Sequence, residues 1–361
     1  MADIVHGKEK HDNKNKDYLY KVERVCGNGS FGIVFQGKII HTGEIIAIKK
    51  VYQDKKYKNR EYTITKDLSH PNIIKLIHAF YTTGEKTDEI YLNIVMNYVS
   101  DNLNRLINNY KSNKETFPIF LIKLYTFQVA RALNYIHSKH IAHRDIKPQN
   151  ILIDPSTNRV YLCDFGSAKI LREDGKNVAY ICSRYYRAPE LILLDDDSKY
   201  QYTESIDIWS FGCVIAEMIL RRPFLEGSSA TAQLTKIVEV FGGPKPEDLK
   251  DIVTKNDIFE KTRRTKAQPL NKVFNGMPNG LIDLLSKIFV YNPHKRLTAM
   301  EIMAHPFFDE LRNIETSQSG KYIVPNLFDF SKKEIEMSKQ KELFKKIIPE
   351  WADGYKNIPK H

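Results

Sequence analysis

The sequence predicts an α+β fold with two lobes, a β-rich N-terminal lobe containing one helix and an α-rich C-terminal lobe. From about residue 18 to residue 99, β-branched residues alternate with other side chains between glycine turns, a pattern typical of strands. From about residue 102, apolar residues recur every three or four positions, as in FLIKLYTFQVARALNYIHS, which is typical of helices. We therefore expect an N-terminal lobe over about 18–97, a hinge over about 96–101 and a C-terminal lobe over about 102–310.

Two further segments flank these lobes. Residues 1–17 are rich in lysine and asparagine, and we expect a disordered lead there. Residues 311–361 lose the regular apolar spacing, and we expect a C-terminal tail with one charged helical stretch.

Composition excludes several classes of protein. The chain has 361 residues, 42% hydrophobic and 27% charged, which is ordinary for a globular protein with sizeable cores. No apolar run approaches the roughly 18 to 20 residues that span a bilayer, and residues 1–17 lack the apolar centre of a secretory signal. Four cysteines lie far apart without CxxC pairing, so we expect reduced thiols and a cytoplasmic location.

The net charge is 55 − 44 = +11. Lysines are spread along the chain and no compact basic and aromatic module is present, so we expect no nucleic-acid partner and no membrane partner. Attraction to acidic or phosphorylated proteins explains this positive charge more simply than a nucleic acid or a membrane does. We expect a monomer.

A glycine-rich stretch, CGNGSFGIVF, places Gly27, Gly29 and Gly32 in the pattern GxGxxG, followed by Val34. The same pattern opens dinucleotide-binding folds, but there a helix must follow the third glycine. Here IVFQGKII continues as a strand to a turn at residues 41–43. The stretch therefore predicts a hairpin that caps phosphates and argues against a dinucleotide-binding oxidoreductase.

A lysine and a glutamate are predicted to pair next to this hairpin. In EIIAIKKV, Ala47 and Lys49 share one face of a strand. In YKNREYTITKDL, Glu61 lies on the apolar stripe of a helix, where an unpaired carboxylate is costly. Lys49 is the natural partner of Glu61, whereas Arg60 points to another side of the helix.

Three later motifs, HRDIKPQN, DFG and APE, follow in a fixed order after Lys49 and Glu61. With the glycine loop they give the chain, from about residue 18 to 310, a resemblance to eukaryotic protein kinases. The resemblance implies a bilobal kinase fold, ATP and Mg²⁺ as cofactors, and catalytic roles for Asp145, Lys147, Lys49 and Glu61. Asp145 would orient the substrate hydroxyl and Lys147 would neutralise the γ-phosphate. Glu190 of APE would pair with Arg296, because a buried carboxylate needs a cation.

The same resemblance implies which residues hold the cofactors. Metal ligands would be Asn150 and Asp164, both oxygen donors of the type that Mg²⁺ prefers. ATP would be bound by the glycine loop, the hinge and residues near the metal, namely Gly27, Asn28, Gly29, Ser30, Gly32, Val34, Ala47, Lys49, Met96, Asn97, Val99, Gln149, Asn150, Cys163 and Asp164.

The segment between DFG and APE, which many kinases regulate by a phosphothreonine, has no threonine between Ser167 and Tyr186. Three cations nevertheless stand ready for a phosphate: Arg60, Arg144 and Lys169. A cationic cluster without an internal phosphate suggests that the phosphate arrives on the substrate. We call the expected site of these three cations the primed-phosphate site.

Together with KNRE, CDFGSAK, YICSRYYRAPE and VPNLFDF, this pattern resembles the glycogen synthase kinase-3 family of serine/threonine kinases. The resemblance implies substrates carrying a phosphoserine four residues C-terminal to the target. It also implies that Tyr180 is an autophosphorylated tyrosine whose phosphate meets Arg184 and Arg187.

The sequence also departs from that family. The hinge has Asn97 where an aspartate is usual, after a gatekeeper Met96, and residues 1–17 contain no serine or threonine for an inhibitory phosphate. The region FGGPKPEDLKDIVTKNDIFEKTRRTKAQPL diverges, which argues against axin-type scaffolds as partners. Its KTRRTK run is typical of a solvated loop, although it leaves the nucleus open as a second location.

Two alternatives exist within the kinase class. A pseudokinase scaffold would normally have lost Lys49, Asp145 or Asp164, and all three are present. A dual-specificity kinase of a neighbouring subfamily stays open as an alternative. Primed and unprimed peptides would distinguish it.

Overall fold

A computed structural model of the chain describes residues 4–11, 14–29, 32–54, 59–84, 86, 88–171, 180–193, 201–248, 264–313 and 321–359. The chain divides into two compact units. The first comprises Met1–Ser100 with Cys163–Gly166, and the second comprises Asp101–Leu162 with Ser167–His361.

The first unit is built on one antiparallel sheet. Its strands are β1 (Ile4–His11), β2 (Lys14–Gly29), β3 (Gly32–Ile39), β4 (Ile45–Tyr52), β5 (Leu76–Thr83) and β6 (Ile90–Asn97). They lie in the order β1-β2-β3-β4-β6-β5. A helix of six residues, α1 (Arg60–Thr65), follows β4.

The core of this unit lies on one face of the sheet and contains Tyr20, Ile39, Ile46, Ile48, Phe80 and Val95. Successive side chains of a strand point to opposite faces. Because Ile46 and Ile48 of β4 belong to the core, Ala47 and Lys49 lie on the other face. The core therefore fixes which face of β4 carries Lys49.

Strand β1 corrects the prediction of a disordered lead over residues 1–17. It pairs with β2 in antiparallel register, from Ile4 opposite Lys21 to His11 opposite Lys14. A ladder is made by backbone N–H and C=O groups. A segment rich in lysine and asparagine can therefore join a sheet without showing the apolar pattern of a strand. The prediction is wrong for residues 4–11 and 14–17.

The second unit is mainly helical. Its helices are α2 (Leu103–Ser112), α3 (Ile119–His137), α4 (Pro189–Leu193), α5 (Ser205–Leu220), α6 (Ala230–Phe241), α7 (Leu270–Val273), α8 (Asn279–Ile288), α9 (Ala299–Met303), α10 (Asp309–Arg312), α11 (Lys332–Met337) and α12 (Phe344–Ile347). Helices α3 and α5 are buried along most of their length, as expected for helices that are apolar on all sides. None of the described helices is both long and apolar enough to cross a bilayer.

The described residues of the second unit also form the short strands β7 (Asp101–Asn102), β8 (Ile141–Ala142), β9 (Ile151–Asp154), β10 (Arg159–Leu162) and β11 (Lys169–Ile170). They form a three-stranded sheet, β10-β9-β7, and a two-stranded sheet, β11-β8. Strands β8 and β9 hold the two ends of the loop at residues 143–150, which contains HRDIKPQN.

The C-terminal tail is tied into the second unit by a buried ion pair. Arg131 of α3 is almost completely buried, and its Nε and one terminal nitrogen donate to the two carboxylate oxygens of Glu334 at 2.9 Å. Its guanidinium also lies 4.0 Å from the centroid of the Phe330 ring. Breaking a buried pair of this kind by removing one partner costs about 3 to 5 kcal/mol. The tail is therefore part of this unit's fold.

Candidate active site

Lys49 lies between two carboxylates in the first unit. Its Nζ donates to both oxygens of Glu61 at 2.8 Å and to Oδ1 of Asp164 at 2.8 Å. Burial alone would lower the pKa of Lys49, but the charges of Glu61 and Asp164 raise it above its usual value. The lysine is therefore a fixed, fully protonated cation, as a group that binds phosphate must be.

Local sequence explains why Glu61 faces Lys49. Helix α1 starts after Asn59, whose side chain accepts a hydrogen bond from the N–H of Tyr62 at 2.9 Å. This cap sets the start of the helix, so that Glu61 and Ile64 are buried while Arg60 is exposed. The pairing of Lys49 with Glu61 that the two periodicities predicted is confirmed.

The glycine-rich stretch forms the hairpin between β2 and β3. Gly27 lies opposite Val34 and Gly29 lies opposite Gly32. Gly32 has a φ of +124°, and a Cβ there would stand 2.2 Å from the carbonyl oxygen of Lys50. Because β3 continues from Gly32, the prediction of a hairpin is confirmed. Ser30 lies outside the described residues.

The ladders bring several predicted ATP-binding residues onto one part of the sheet. Val34 lies opposite Lys49, and Ala47 lies opposite Met96. Directly opposite residues share a face, so these side chains lie on the face that carries Lys49. The side chain of Asn97, at the end of β6, donates to Oε1 of Glu44 at 3.4 Å.

Asp145 is the centre of a hydrogen-bond network in the second unit. Its Oδ2 accepts from Nζ of Lys147 at 2.7 Å and from Nδ2 of Asn150 at 3.0 Å. Its Oδ1 accepts from the hydroxyl of Ser183 at 2.7 Å. The carboxylate is thus held in one orientation by three side chains.

Ser183 lies in the segment before APE and has no role among those predicted from the sequence. Besides its bond to Asp145, its Oγ accepts from Nζ of Lys147 at 3.2 Å. Ser183 and Asp145 are 38 residues apart in the chain, so no local sequence spacing could have indicated this contact. We infer that Ser183 positions both Asp145 and Lys147.

Asp207 of α5 fixes the backbone of the HRD motif. Its carboxylate accepts from the backbone N–H of His143 at 2.7 Å and of Arg144 at 2.8 Å, and Nε2 of His137 lies 3.0 Å away. Burial alone would raise the pKa of this carboxyl, but these hydrogen bonds and the nearby histidines lower it. The anion offsets the cost of the left-handed backbone at Arg144, whose φ is 66°.

The cations of the predicted primed-phosphate site are divided between the units. Arg60 belongs to the first unit, and Arg144 and Lys169 belong to the second. Arg144 is buried and donates to the carbonyl oxygen of Ser167 at 2.6 Å and to the hydroxyl of Tyr202 at 2.9 Å. Lys169 lies in β11, opposite Ala142.

Tyr180 is 73% exposed and lies beside two arginines. The guanidinium of Arg187 stands 4.5 Å from the centroid of its ring. Hydrogen bonds from Arg184 and Arg187, together with their charges, lower the pKa of Tyr180. A negative charge on this side chain is therefore favoured.

The APE motif is anchored as predicted. The carboxylate of Glu190 accepts two hydrogen bonds from the guanidinium of Arg296, each at 2.7 Å, and both side chains are fully buried. This confirms the predicted pairing. Its role is architectural, because it fixes α4 directly after the segment that contains Ser183.

The family model for the protein kinase domain matches residues 20–308. The chain therefore belongs to the protein kinase family, and its β-sheet N-terminal region and helical C-terminal region confirm the predicted bilobal α+β kinase fold. A kinase domain implies the use of ATP and typically of a divalent metal.

The residues expected to hold a metal have suitable donors. Asp164 offers a carboxylate with a side chain that is 26% exposed. The Nδ2 of Asn150 donates to Asp145, so its amide oxygen stays available as an acceptor. Mg²⁺ is usually bound by one or two carboxylates and by substrate phosphates. The described residues contain no cluster of three or more His, Cys, Asp or Glu side chains that could hold a metal ion by themselves.

Proposed function

We propose that the protein is a Mg·ATP-dependent serine/threonine kinase of glycogen synthase kinase-3 type that prefers primed substrates. The proposal rests on the surroundings of Arg144, which is buried among neutral hydrogen-bond acceptors. This buried cation makes hydrogen bonds to neutral oxygens and has no ion pair with a carboxylate among the described residues. A buried charge without a counter-charge is costly, and an incoming phosphate would supply one.

The network around Asp145 supports a role in orienting the acceptor hydroxyl. A group that accepts a proton must hold its carboxylate within hydrogen-bond reach of the substrate. Lys147, Asn150 and Ser183 keep that carboxylate in place. Lys147 would also balance the charge of the transferring phosphoryl group.

Lys49, Asn150 and Asp164 would act on the nucleotide. Lys49 would bind the α- and β-phosphates, with Glu61 fixing its position. Asp164 and Asn150 would hold Mg²⁺, which when bound neutralises charge on the phosphates. The chain's own contribution is thus to position the reactants and to place cations where negative charge develops.

An anion in solution should compete for the primed-phosphate site. We expect sulfate, at constant ionic strength, to raise the KM of a peptide with a phosphoserine four residues after its target serine, because both anions need the same cations. The unphosphorylated peptide should be affected much less. Equal inhibition of both peptides would contradict the proposed site.

Tyr180 is the proposed site of self-modification. Protein made in a host that lacks tyrosine kinases should carry phosphate on Tyr180, and the Asp145→Asn variant should not. Phosphate adds about −1.5 to −2 charge next to Arg184 and Arg187, which already favour an anion there. Intact-mass and peptide mass spectrometry measure the difference. Phosphate on Tyr180 in the inactive variant would rule out self-modification.

We further propose phosphorylated proteins as substrates, a monomeric enzyme, and a location in the cytoplasm with access to the nucleus. The chain's net charge of +11 supports attraction to phosphorylated partners. We do not expect axin-type scaffolds as partners, because the corresponding region, residues 241–270, diverges in sequence. Half of it, residues 249–263, lies outside the described residues.

A further inference from the structure

A cavity of about 340 Å³ lies wholly within the second unit, and none of its lining residues belongs to the candidate active site. Its walls are α2, α3, the turn between β9 and β10, and residues 321–323 of the tail. Its volume falls near the lower limit of sites for small ligands, roughly 300 to 1,000 Å³. We call it the tail pocket.

The tail residues that line this pocket are held by contacts with the rest of the second unit. The ring of Tyr322 stacks on Phe120, with centroids 5.6 Å apart and an angle of 11° between the planes. The amide of Asn158 donates to the carbonyl oxygen of Ile323 at 2.9 Å, and the side chain of Ile323 is 63% exposed. An occupant would therefore meet a formed site with an apolar rim.

Three tyrosines give the pocket its aromatic character: Tyr110, Tyr125 and Tyr322. Leu106 and Ile153 add aliphatic surface between them. Tyrosine combines a large rigid ring with a hydroxyl, which is why it is favoured in surfaces that bind other chains. The pocket suits an occupant with flat or compact apolar groups.

Two of the tyrosine hydroxyls in the pocket differ in whether their proton is already donated. The hydroxyl of Tyr125 already donates to Oδ1 of Asn158 at 2.7 Å. The hydroxyl of Tyr110 has no hydrogen-bond partner among the described residues. Burial raises the pKa of Tyr110, and the nearby Tyr322 and Glu115 raise it further. This hydroxyl therefore keeps its proton at neutral pH. An occupant should offer it an acceptor.

The charges that line the pocket balance. Asp101 supplies one carboxylate and Lys321 supplies one ammonium group. In a chain with a net charge of +11, such a balanced site does not select an anion. The occupant is therefore expected to be neutral.

We propose that the tail pocket binds a proline-rich segment of a partner protein in the polyproline II conformation. Such a segment has no internal hydrogen bonds, and its prolines have no N–H, so its backbone offers a carbonyl acceptor to the hydroxyl of Tyr110. Its neutral pyrrolidine rings pack against aromatic side chains, as in other aromatic grooves that bind proline-rich segments. The inference does not depend on which hydroxyl the kinase phosphorylates.

The test is binding of a fluorescently labelled, end-capped octaproline peptide to the full chain, measured by anisotropy without ATP. An end-capped glycine-serine peptide and an alternating leucine-alanine peptide of equal length are the controls. We expect octaproline to bind at least about tenfold more tightly than either control, a difference of about 1.4 kcal/mol. Equal binding of octaproline and either control would overturn the proposal.

Two pocket variants locate the binding. Tyr110→Phe removes one hydroxyl and should weaken octaproline binding about fivefold, the effect of one neutral hydrogen bond. Ile323→Asp places a charge on an exposed rim position, so that folding is preserved, and should weaken binding about tenfold. Tyr81→Phe, at an exposed tyrosine of β5, is the matched control and should bind like the wild type.

All three variants should phosphorylate a short peptide at the wild-type rate, since none of these residues belongs to the candidate active site. Octaproline binding that is unchanged in both pocket variants would contradict the assignment to this pocket. Should one of them unfold in a thermal melt, the other still decides between the two outcomes.

Discussion

Asp145→Asn is expected to lower the turnover number by about 10²- to 10⁴-fold, the usual contribution of a positioned acid or base. The amide keeps the size of the carboxylate. Its oxygen can accept from Lys147 and Asn150 while its NH2 donates to the hydroxyl oxygen of Ser183, so the fold should be retained. It cannot take the proton of the acceptor hydroxyl. Binding of Mg·ATP should be nearly unchanged. Steady-state kinetics and nucleotide titration measure the two effects.

Two further variants test this expectation. Asp353→Asn makes the same chemical change at an exposed tail position and should leave turnover unaltered. Asp164→Ala should also abolish transfer, but it should weaken Mg·ATP binding because a metal ligand is lost. Turnover near the wild-type level in Asp145→Asn would show that the carboxylate is not the group that orients the hydroxyl.

Lys49→Met is the second substitution with a large expected effect. It removes the cation that bonds to Glu61 and Asp164, and turnover should fall severely because the phosphate clamp is lost. The variant should also be less stable, by about 3 kcal/mol, since Glu61 is left as a buried unpaired carboxylate. Lys50→Met, on the opposite face of the same strand, is the control for both measurements.

The double variant Lys49→Met/Glu61→Leu separates the two effects. Removing the buried carboxylate should restore part of the lost thermal stability, while activity stays absent. Thermal unfolding of the single and double variants gives the coupling energy. If the double variant proved less stable than the sum of the single changes, the proposed ion pair would not be the source of the instability.

The kinase fold could be predicted because its catalytic residues occur in short motifs, and several of these lie on strands and helices with a regular side-chain period. The period of two in β4 and the apolar stripe of α1 were enough to pair Lys49 with Glu61, and a buried carboxylate at Glu190 required a cation such as Arg296. In each case the physical cost of burying a charge pointed to the partner.

Other features could not be predicted from one sequence. Strand β1 is joined to β2 by backbone hydrogen bonds, which require no particular pattern of side chains. The contacts of Ser183 with Asp145, and of Arg131 with Glu334, join positions far apart in the chain. Neither a hydroxyl nor a charged side chain in a helix indicates by itself which distant residue it will meet.

The most direct test of the central claim compares kcat/KM for one peptide with and without a phosphoserine four residues after its target serine. The wild type should strongly prefer the primed peptide. Arg60→Ala should lose most of that preference, about 1.5 to 3 kcal/mol for a charge-assisted contact, or about 10- to 150-fold, while turnover of the unprimed peptide changes little. Arg105→Ala, at an exposed arginine of α2, is the control and should keep the full preference. Equal efficiency on both peptides, or an equal loss on both in Arg60→Ala, would contradict the primed-phosphate site and favour a dual-specificity kinase.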